Sequence, residues 1–240
     1  MITQTINDTH RNTPSLFPDL QETISASQIS HELRNPVTLV SSYLQLFCAA
    51  HPEVQDFPYW NDITENMTLL KDLLASLSQY NRSQLLQCEL LHLDQLASSL
   101  IHAVKPDFEK KRIRLISDFQ PDLPAVNGDA IKFRQIFFNL LNNAGDAMPD
   151  GGTITIKLRA SEDSLRLSVS DTGEGIPKDR ISTVFTPFVT YKRTGNGLGL
   201  PIVKRIAEAH NGTISFQSTP GEGTCFLLTF PVFRDEKESQ

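Results

Sequence analysis

Two apolar ladders set the first constraint on this chain. Leu33, Val37, Val40, Leu44 and Phe47 are spaced 4, 3, 4, 3, and Ile63, Met67, Leu70, Leu74 and Leu77 repeat the spacing after a break at His51-Pro52 and Pro58. That rhythm draws one apolar stripe along each of two helices, and the short break folds them into an antiparallel hairpin. Ile29, Leu69 and Leu73 widen the stripe beyond what one hairpin covers. Two hairpins packed as a four-helix bundle would bury it, so a homodimer is expected; the rival is a hairpin packed on its own second domain.

The charge pattern also divides the chain. Residues 1–85 hold four basic and nine acidic side chains, and the remainder 18 and 19. The net charge of −6 excludes a strongly basic nucleic-acid binder. No run approaches the ~18 apolar residues of a spanning helix, and residues 1–10 carry no apolar leader. Cys48, Cys88 and Cys225 are scattered, with no C-x-x-C pair. They suit a reducing, cytoplasmic compartment, with no membrane insertion.

Residues 1–20 are polar, hold two prolines, and read as a disordered or loosely docked lead-in. The hairpin is placed at 21–85. Beyond it the pattern predicts a helix over ~95–110 capped by Asp94 and a strand through Ile113, Leu115 and Phe119. A turn at 127–129, a helix over ~130–147, and strands at 153–159 and through Leu165, Leu167 and Val169 follow. Residues 172–200 read as loop with short helical turns, 201–210 as helix stopped by Asn211-Gly212, and Ile214-Phe216 and Cys225-Leu228 as the last strands. This order suggests an α+β domain over 86–233, a mixed sheet with helices on one face, and a frayed tail over 234–240.

Four stretches carry chemistry. Asp171-Thr172-Gly173-Glu174-Gly175 leaves a strand, where a carboxylate can accept from an exocyclic amine and glycines let backbone approach a flat ring. Gly195-Asn196-Gly197-Leu198-Gly199 runs into a helix N-terminus, a ready anion site. No Walker A sequence is present, and the Gly spacing lacks a Rossmann context. Asn139 and Asn143 share a helix face, and amide oxygens suit a Mg²⁺ whose charge is met by phosphates. In His31-Glu32-Leu33-Arg34-Asn35-Pro36, an acid stands beside the imidazole, Asn35 sits one turn on, and Pro36 predicts a bend. His10, His51, His92, His102 and His210 have no ligand-like spacing and read as surface or capping groups, and Trp60 as packing for the loop.

Together, in this order, these stretches resemble the boxes of bacterial two-component sensor histidine kinases. His31 to Pro36 resembles the H-box, Asn139–Asn143 the N-box, and Asp171 to Gly175 the G1 box. Phe185-Thr186-Pro187-Phe188 resembles the F-box, Gly195 to Gly199 the G2 box, and Gly221-Glu222-Gly223-Thr224 the last Gly-rich turn. The flavour is closest to kinases of sporulation or nitrogen regulation. The resemblance implies a HisKA-type hairpin and a Bergerat (GHKL) α/β sandwich binding ATP and Mg²⁺. Asp171 would read adenine, Asn143 would hold Mg²⁺ with Asn139 assisting, and Gly173, Gly175, Gly195, Gly197, Leu198, Gly199 and Thr224 would complete the site. Lys192 matches a lid position that neutralises phosphate. His31 would be the phosphoacceptor, Glu32 would take its proton or hydrogen-bond it, and Asn35 stands where relatives orient water to dephosphorylate a partner.

The implied partner is a response-regulator receiver domain, whose aspartate takes the phosphoryl group. Input would come from a separate sensor protein or domain, or from the N-terminal segment. Asp146 departs from relatives that carry Lys there, which puts one phosphate contact in doubt. A non-catalytic docking module with a degenerate second domain is the alternative. A gyrase-type ATPase is disfavoured because the amide of Asn139 cannot serve as a base. An anti-sigma Ser kinase is disfavoured because it would leave the His-bearing hairpin unexplained.

Overall fold

The computed structural model describes residues 26–192 and 195–233, with side chains from Glu32 onward. The expectations for residues 1–20 and 234–240, and for the side chain of His31, lie outside the described residues.

The two ladders form α1 (Ala26–Ala50) and α2 (Trp60–Arg82), joined by a 3₁₀ turn, Pro52–Asp56. Pro36 lies inside α1 without ending it. At the loop end, the ring of Phe47 sits 5.2 Å from His51 and 6.3 Å from Trp60, centroid to centroid. The stripe is only partly covered within one chain: Leu33, Val40, Phe47, Ile63 and Leu70 remain 40–49% exposed, while Leu74 is buried.

The second half is a five-stranded mixed sheet. Its strands are β2 (Ile113–Phe119), β4 (Gly152–Ala160), β5 (Ser164–Asp171), β6 (Thr213–Thr219) and β7 (Gly223–Pro231). The order is β2-β4-β5-β7-β6, with β2 parallel to β4 and every other pair antiparallel. Alternate residues Ile154, Ile156 and Leu158, Leu165, Leu167 and Val169, and Phe226, Leu228 and Phe230 are buried, so one sheet face is apolar. Helices α3 (Leu93–Lys110), α4 (Ala130–Asp146) and α5 (Gly199–Ala209) supply the other half of the core through Leu96, Leu100, Phe133, Ile136, Phe137, Leu140 and Val203.

Local chemistry explains the edges. The Asp129 carboxylate caps α4, accepting from Ile131 N (2.9 Å) and Lys132 N (3.1 Å). Burial works against its charge, but these donors and the N–H of Gln87 outweigh it and hold the carboxyl below its ordinary value. Asn211 at φ +55° ends α5, as the Asn-Gly stop predicts. Two expectations need correction. His92, not Asp94, occupies the cap position of α3. Two short strands, β1 (Glu89–Leu91) and β3 (Val126–Gly128), pair antiparallel where only a turn was expected at 127–129. Of the two readings of His210, surface or capping group, the second holds: it is the C-cap of α5, and it is buried. It is 5% exposed, with its ring 4.8 Å from that of Phe133. It accepts from Asp129 N at 3.0 Å through Nε2, which leaves Nδ1 to donate to the Ile206 carbonyl at 2.8 Å.

The C-terminal end of α2 is tied to the helical layer. Lys132 Nζ donates to the Arg82 carbonyl at 2.8 Å, and the Arg205 guanidinium lies 4.2 Å over the Tyr80 ring while donating to Gln84. The hairpin therefore meets the sheet domain through α4 and α5, the two helices that border the cleft described next.

Candidate nucleotide site

A cleft of about 470 Å³ opens between α4, the loop after β5, residues 189–192 and 195–197, and the start of α5. Asn139 and Asn143 point into it from α4 because they stand four residues apart on a helix whose opposite face is core. The Nδ2 of Asn139 is buried without a hydrogen-bond partner among the described residues. An orphaned amide on a cleft wall marks a place that a ligand or its waters complete.

Asp171 closes β5 and also lines the cleft. Gly173 N and Thr224 N both donate to its Oδ1, at 2.9 and 3.2 Å. Oδ2 has no partner among the described residues, and Asp171 lines the cleft, so one acceptor is held ready. Burial pushes this carboxyl above its ordinary value, against those two donors and the Lys192 charge. Beneath it, the Ser218 hydroxyl accepts from Ile176 N and lies 2.9 Å from Thr224 Oγ1, joining both sides of the acid's support.

Glycine is required at two positions. Gly175, at φ +68°, runs against the Thr219 carbonyl, where any Cβ would collide. Gly197, at φ +67°, sits against Val189 and Phe188 and accepts from Phe188 N at 3.1 Å, closing the loop base. Beyond it α5 begins at Gly199, and the free N–H groups of that first turn border the cleft. Lys192 reaches from the lid to Asn143 Oδ1 at 2.9 Å and Asp146 Oδ2 at 2.8 Å.

Nine of the eleven residues named from sequence for the nucleotide therefore line one cleft: Asn139, Asn143, Asp171, Gly175, Lys192, Gly195, Gly197, Gly199 and Thr224. Gly173 and Leu198 do not. Gly173 packs the acid's loop against the Ala147 carbonyl at the end of α4, and Leu198 is a fully buried core side chain. Among the described side chains of α1, from Glu32 onward, none lines the cleft, and Glu32 and Asn35 lie exposed on that helix. Sequence reading missed Arg180 and Tyr191. The guanidinium covers the Tyr191 ring at 4.2 Å, and the Tyr191 hydroxyl lies 3.1 Å from Thr183 Oγ1, which pins the lid to the opposite wall. It also missed Asn196, whose Oδ1 accepts from Leu198 N at 3.0 Å. No local pattern signals the Arg180–Tyr191–Thr183 contacts, because they depend on how the lid folds back, whereas the Asn196–Leu198 bond is a local Asx-type turn.

The donor set can be tested against Mg²⁺. Among the described residues no three His, Cys, Asp or Glu side chains cluster to hold a metal. Two amides and the Asp146 carboxylate on one helix face are too few for a resident metal but fit a Mg²⁺ that arrives with phosphates.

The cleft thus offers an acceptor for an amine together with cations, amides and a helix N-terminus. Residues 128–234 match the family described as histidine kinase-, DNA gyrase B-, and HSP90-like ATPase. The chain is 33% identical over 208 residues to sporulation kinase A of Bacillus subtilis (strain 168), an alignment covering 86% of this chain and 34% of that kinase. The resemblance to two-component histidine kinases thus holds, although the chain spans only about a third of that relative's length. In fold it matches full-length ShkA in complex with AMPPNP, with a TM-score of 0.71, 24% identity, and coverage of 88% of this chain and 46% of that one. It also matches the histidine kinase ThkA in complex with the response regulator protein TrrA, with a TM-score of 0.61, 24% identity, and coverage of 89% and 62%. No helix among the described residues is long and apolar enough to cross a membrane.

Proposed function

We propose that this chain is the kinase core of a two-component system: an ATP-dependent protein histidine kinase that phosphorylates its own His31 and passes the phosphoryl group to a receiver aspartate. The observation that carries the reading is the lining of the cleft, which brings the ready acceptor of Asp171 together with Asn139, Asn143 and Lys192. A nucleotide placed along it sets adenine N6–H against Asp171 Oδ2 and the triphosphate against α4, the lid and the α5 N-terminus. Mg²⁺ carried with the phosphates would be held by the amide oxygens of Asn139 and Asn143 and would offset the charge of the transferring group.

In the reaction this proposal describes, one imidazole nitrogen of His31 attacks the γ-phosphorus, ADP leaves, and Glu32 accepts the proton or hydrogen bond of the other nitrogen. Catalysis is then positioning and charge stabilisation by Lys192 and the cleft donors. The described side chains of α1, from Glu32 onward, do not line the cleft, so the reaction proposed here includes an approach of the sheet domain to the helix that carries the acceptor. Asn35 is assigned to orienting water for hydrolysis of the regulator's acyl phosphate, a second reaction.

The proposal divides the chain into a dimerisation and phosphotransfer hairpin over 21–85 and an ATP-binding domain over 86–233. The exposed stripe of Leu33, Val40 and Ile63 supports a second copy as its cover. Incubation with γ-labelled ATP and Mg²⁺, followed by a panel of purified receiver domains, tests the function. Acid-labile, base-stable label that chases onto a receiver supports it. Label on His31→Ala equal to wild type removes the acceptor assignment.

A further inference from the structure

Asp146 stands where a positive side chain was expected, and the structure brings the positive side chain to it. Lys192 Nζ is bracketed by Asp146 Oδ2 at 2.8 Å and Asn143 Oδ1 at 2.9 Å. The two oxygens belong to residues three apart on α4, so they stack on one helix face. A cation already occupies the position between a carboxylate and an amide that both line the cleft.

Resting on the nucleotide reading above, we infer that Asp146 and Asn143 form one cation subsite, which the Lys192 ammonium fills in this structure and which the nucleotide's divalent metal fills once the triphosphate enters. Both oxygen types are hard donors suited to Mg²⁺, and the carboxylate supplies the negative charge that the two asparagines lack. The exchange is easy on both sides. The Lys192 and Asp146 side chains are 40% and 52% exposed, and such a pair is held weakly. Tyr191 beside it is pinned to Thr183 and Arg180, so Lys192 can leave by rotation of its flexible stem. On leaving, the ammonium finds the phosphates in place of the carboxylate. Asp146 is thereby a metal-positioning residue.

The test is nucleotide binding to the full chain, with AMPPNP titrated in excess chelator and across a series of free Mg²⁺ concentrations. Asp146→Asn should bind metal-free AMPPNP more tightly, because a carboxylate beside the triphosphate is gone and Lys192 is free. The enhancement by Mg²⁺ should fall by about tenfold. Lys192→Met should do the reverse, weakening metal-free binding by about tenfold and enlarging the Mg²⁺ enhancement. Asp146→Glu, which keeps the charge, should restore most of the metal dependence. An Asp146→Asn variant whose Mg²⁺ enhancement stays within about twofold of wild type, or parallel shifts in both variants, would overturn the inference and leave the pair a lid clasp. A wild-type chain that binds no AMPPNP at any Mg²⁺ level would instead remove the nucleotide reading itself, before any variant is compared.

Discussion

The side-chain amide of Asn196 donates a 2.6 Å hydrogen bond to the hydroxyl of Ser76, 120 residues earlier on α2. The same side chain accepts from Leu198 N at the entrance to α5. One residue on the wall of the cleft thus holds both the Gly-rich loop and the helical hairpin. A loop that tightens around phosphate must pull on α2 through it.

This relationship predicts a measurable coupling. Ser76→Ala and Asn196→Ala, separately and combined, should give a double-mutant coupling of about 0.5–1.5 kcal/mol in unfolding free energy. Hydrogen exchange at the end of α2 should quicken in either single variant. Additive effects would show that the bond does not link the two parts.

Asp171→Asn tests base recognition in the cleft. The amide keeps an oxygen for Gly173 N and Thr224 N but loses the charge on Oδ2. Affinity for an adenine nucleotide should fall by about 1.5–3 kcal/mol with the fold intact by circular dichroism. An unchanged Kd would take Asp171 out of base recognition.

Gly197→Ala tests the loop. Its backbone is left-handed, and a methyl would press on Val189 and Phe188. The conformational cost alone is about 1–2 kcal/mol, so nucleotide binding should weaken while the sheet remains folded. Wild-type affinity in this variant would mean that the loop does not shape the site.

His210 predicts a pH dependence of stability. Burial holds its imidazole below the usual value, against the Ile206 carbonyl and the Asp129 charge. The unfolded chain therefore binds its proton first as pH falls. The neutral, buried form contributes fully above the unfolded value of about 6.5, and stability declines from there down to the lowered native value, by at most about 1.4 kcal/mol per pH unit. Urea midpoints between pH 7.5 and 5 should show this slope for wild type. A variant that replaces His210 with Gln should lose the His210 share of it, and identical slopes would contradict the assignment.

Much of this molecule is legible from its residues, and the reasons are local. The hairpin follows from apolar period, α4 from Asp129 ahead of an amphipathic run, and β4, β5 and β7 from alternation. The cleft residues Asn139, Asn143 and Asp171 are readable because helix period and a strand end place them. The β1–β3 ladder is not, since three residues a side carry no pattern of their own. His210 resembles an ordinary helix-end histidine until Phe133 and Phe230 enclose it. The Lys192–Asp146 pair joins residues 46 apart, which only the folded lid brings together. Asp146 alone reads as a lost contact, and the structure supplies its cation.

The central claim is that a triphosphate held in this cleft delivers its terminal phosphoryl group to one imidazole on α1. Mass-spectrometric mapping of the chain after a brief reaction with ATP and Mg²⁺, digested at alkaline pH, addresses it directly. The account predicts a phosphoryl group on the peptide bearing His31, absent when Asn143 is replaced by Ala. Phosphorylation at any other residue with His31 unmodified would contradict it.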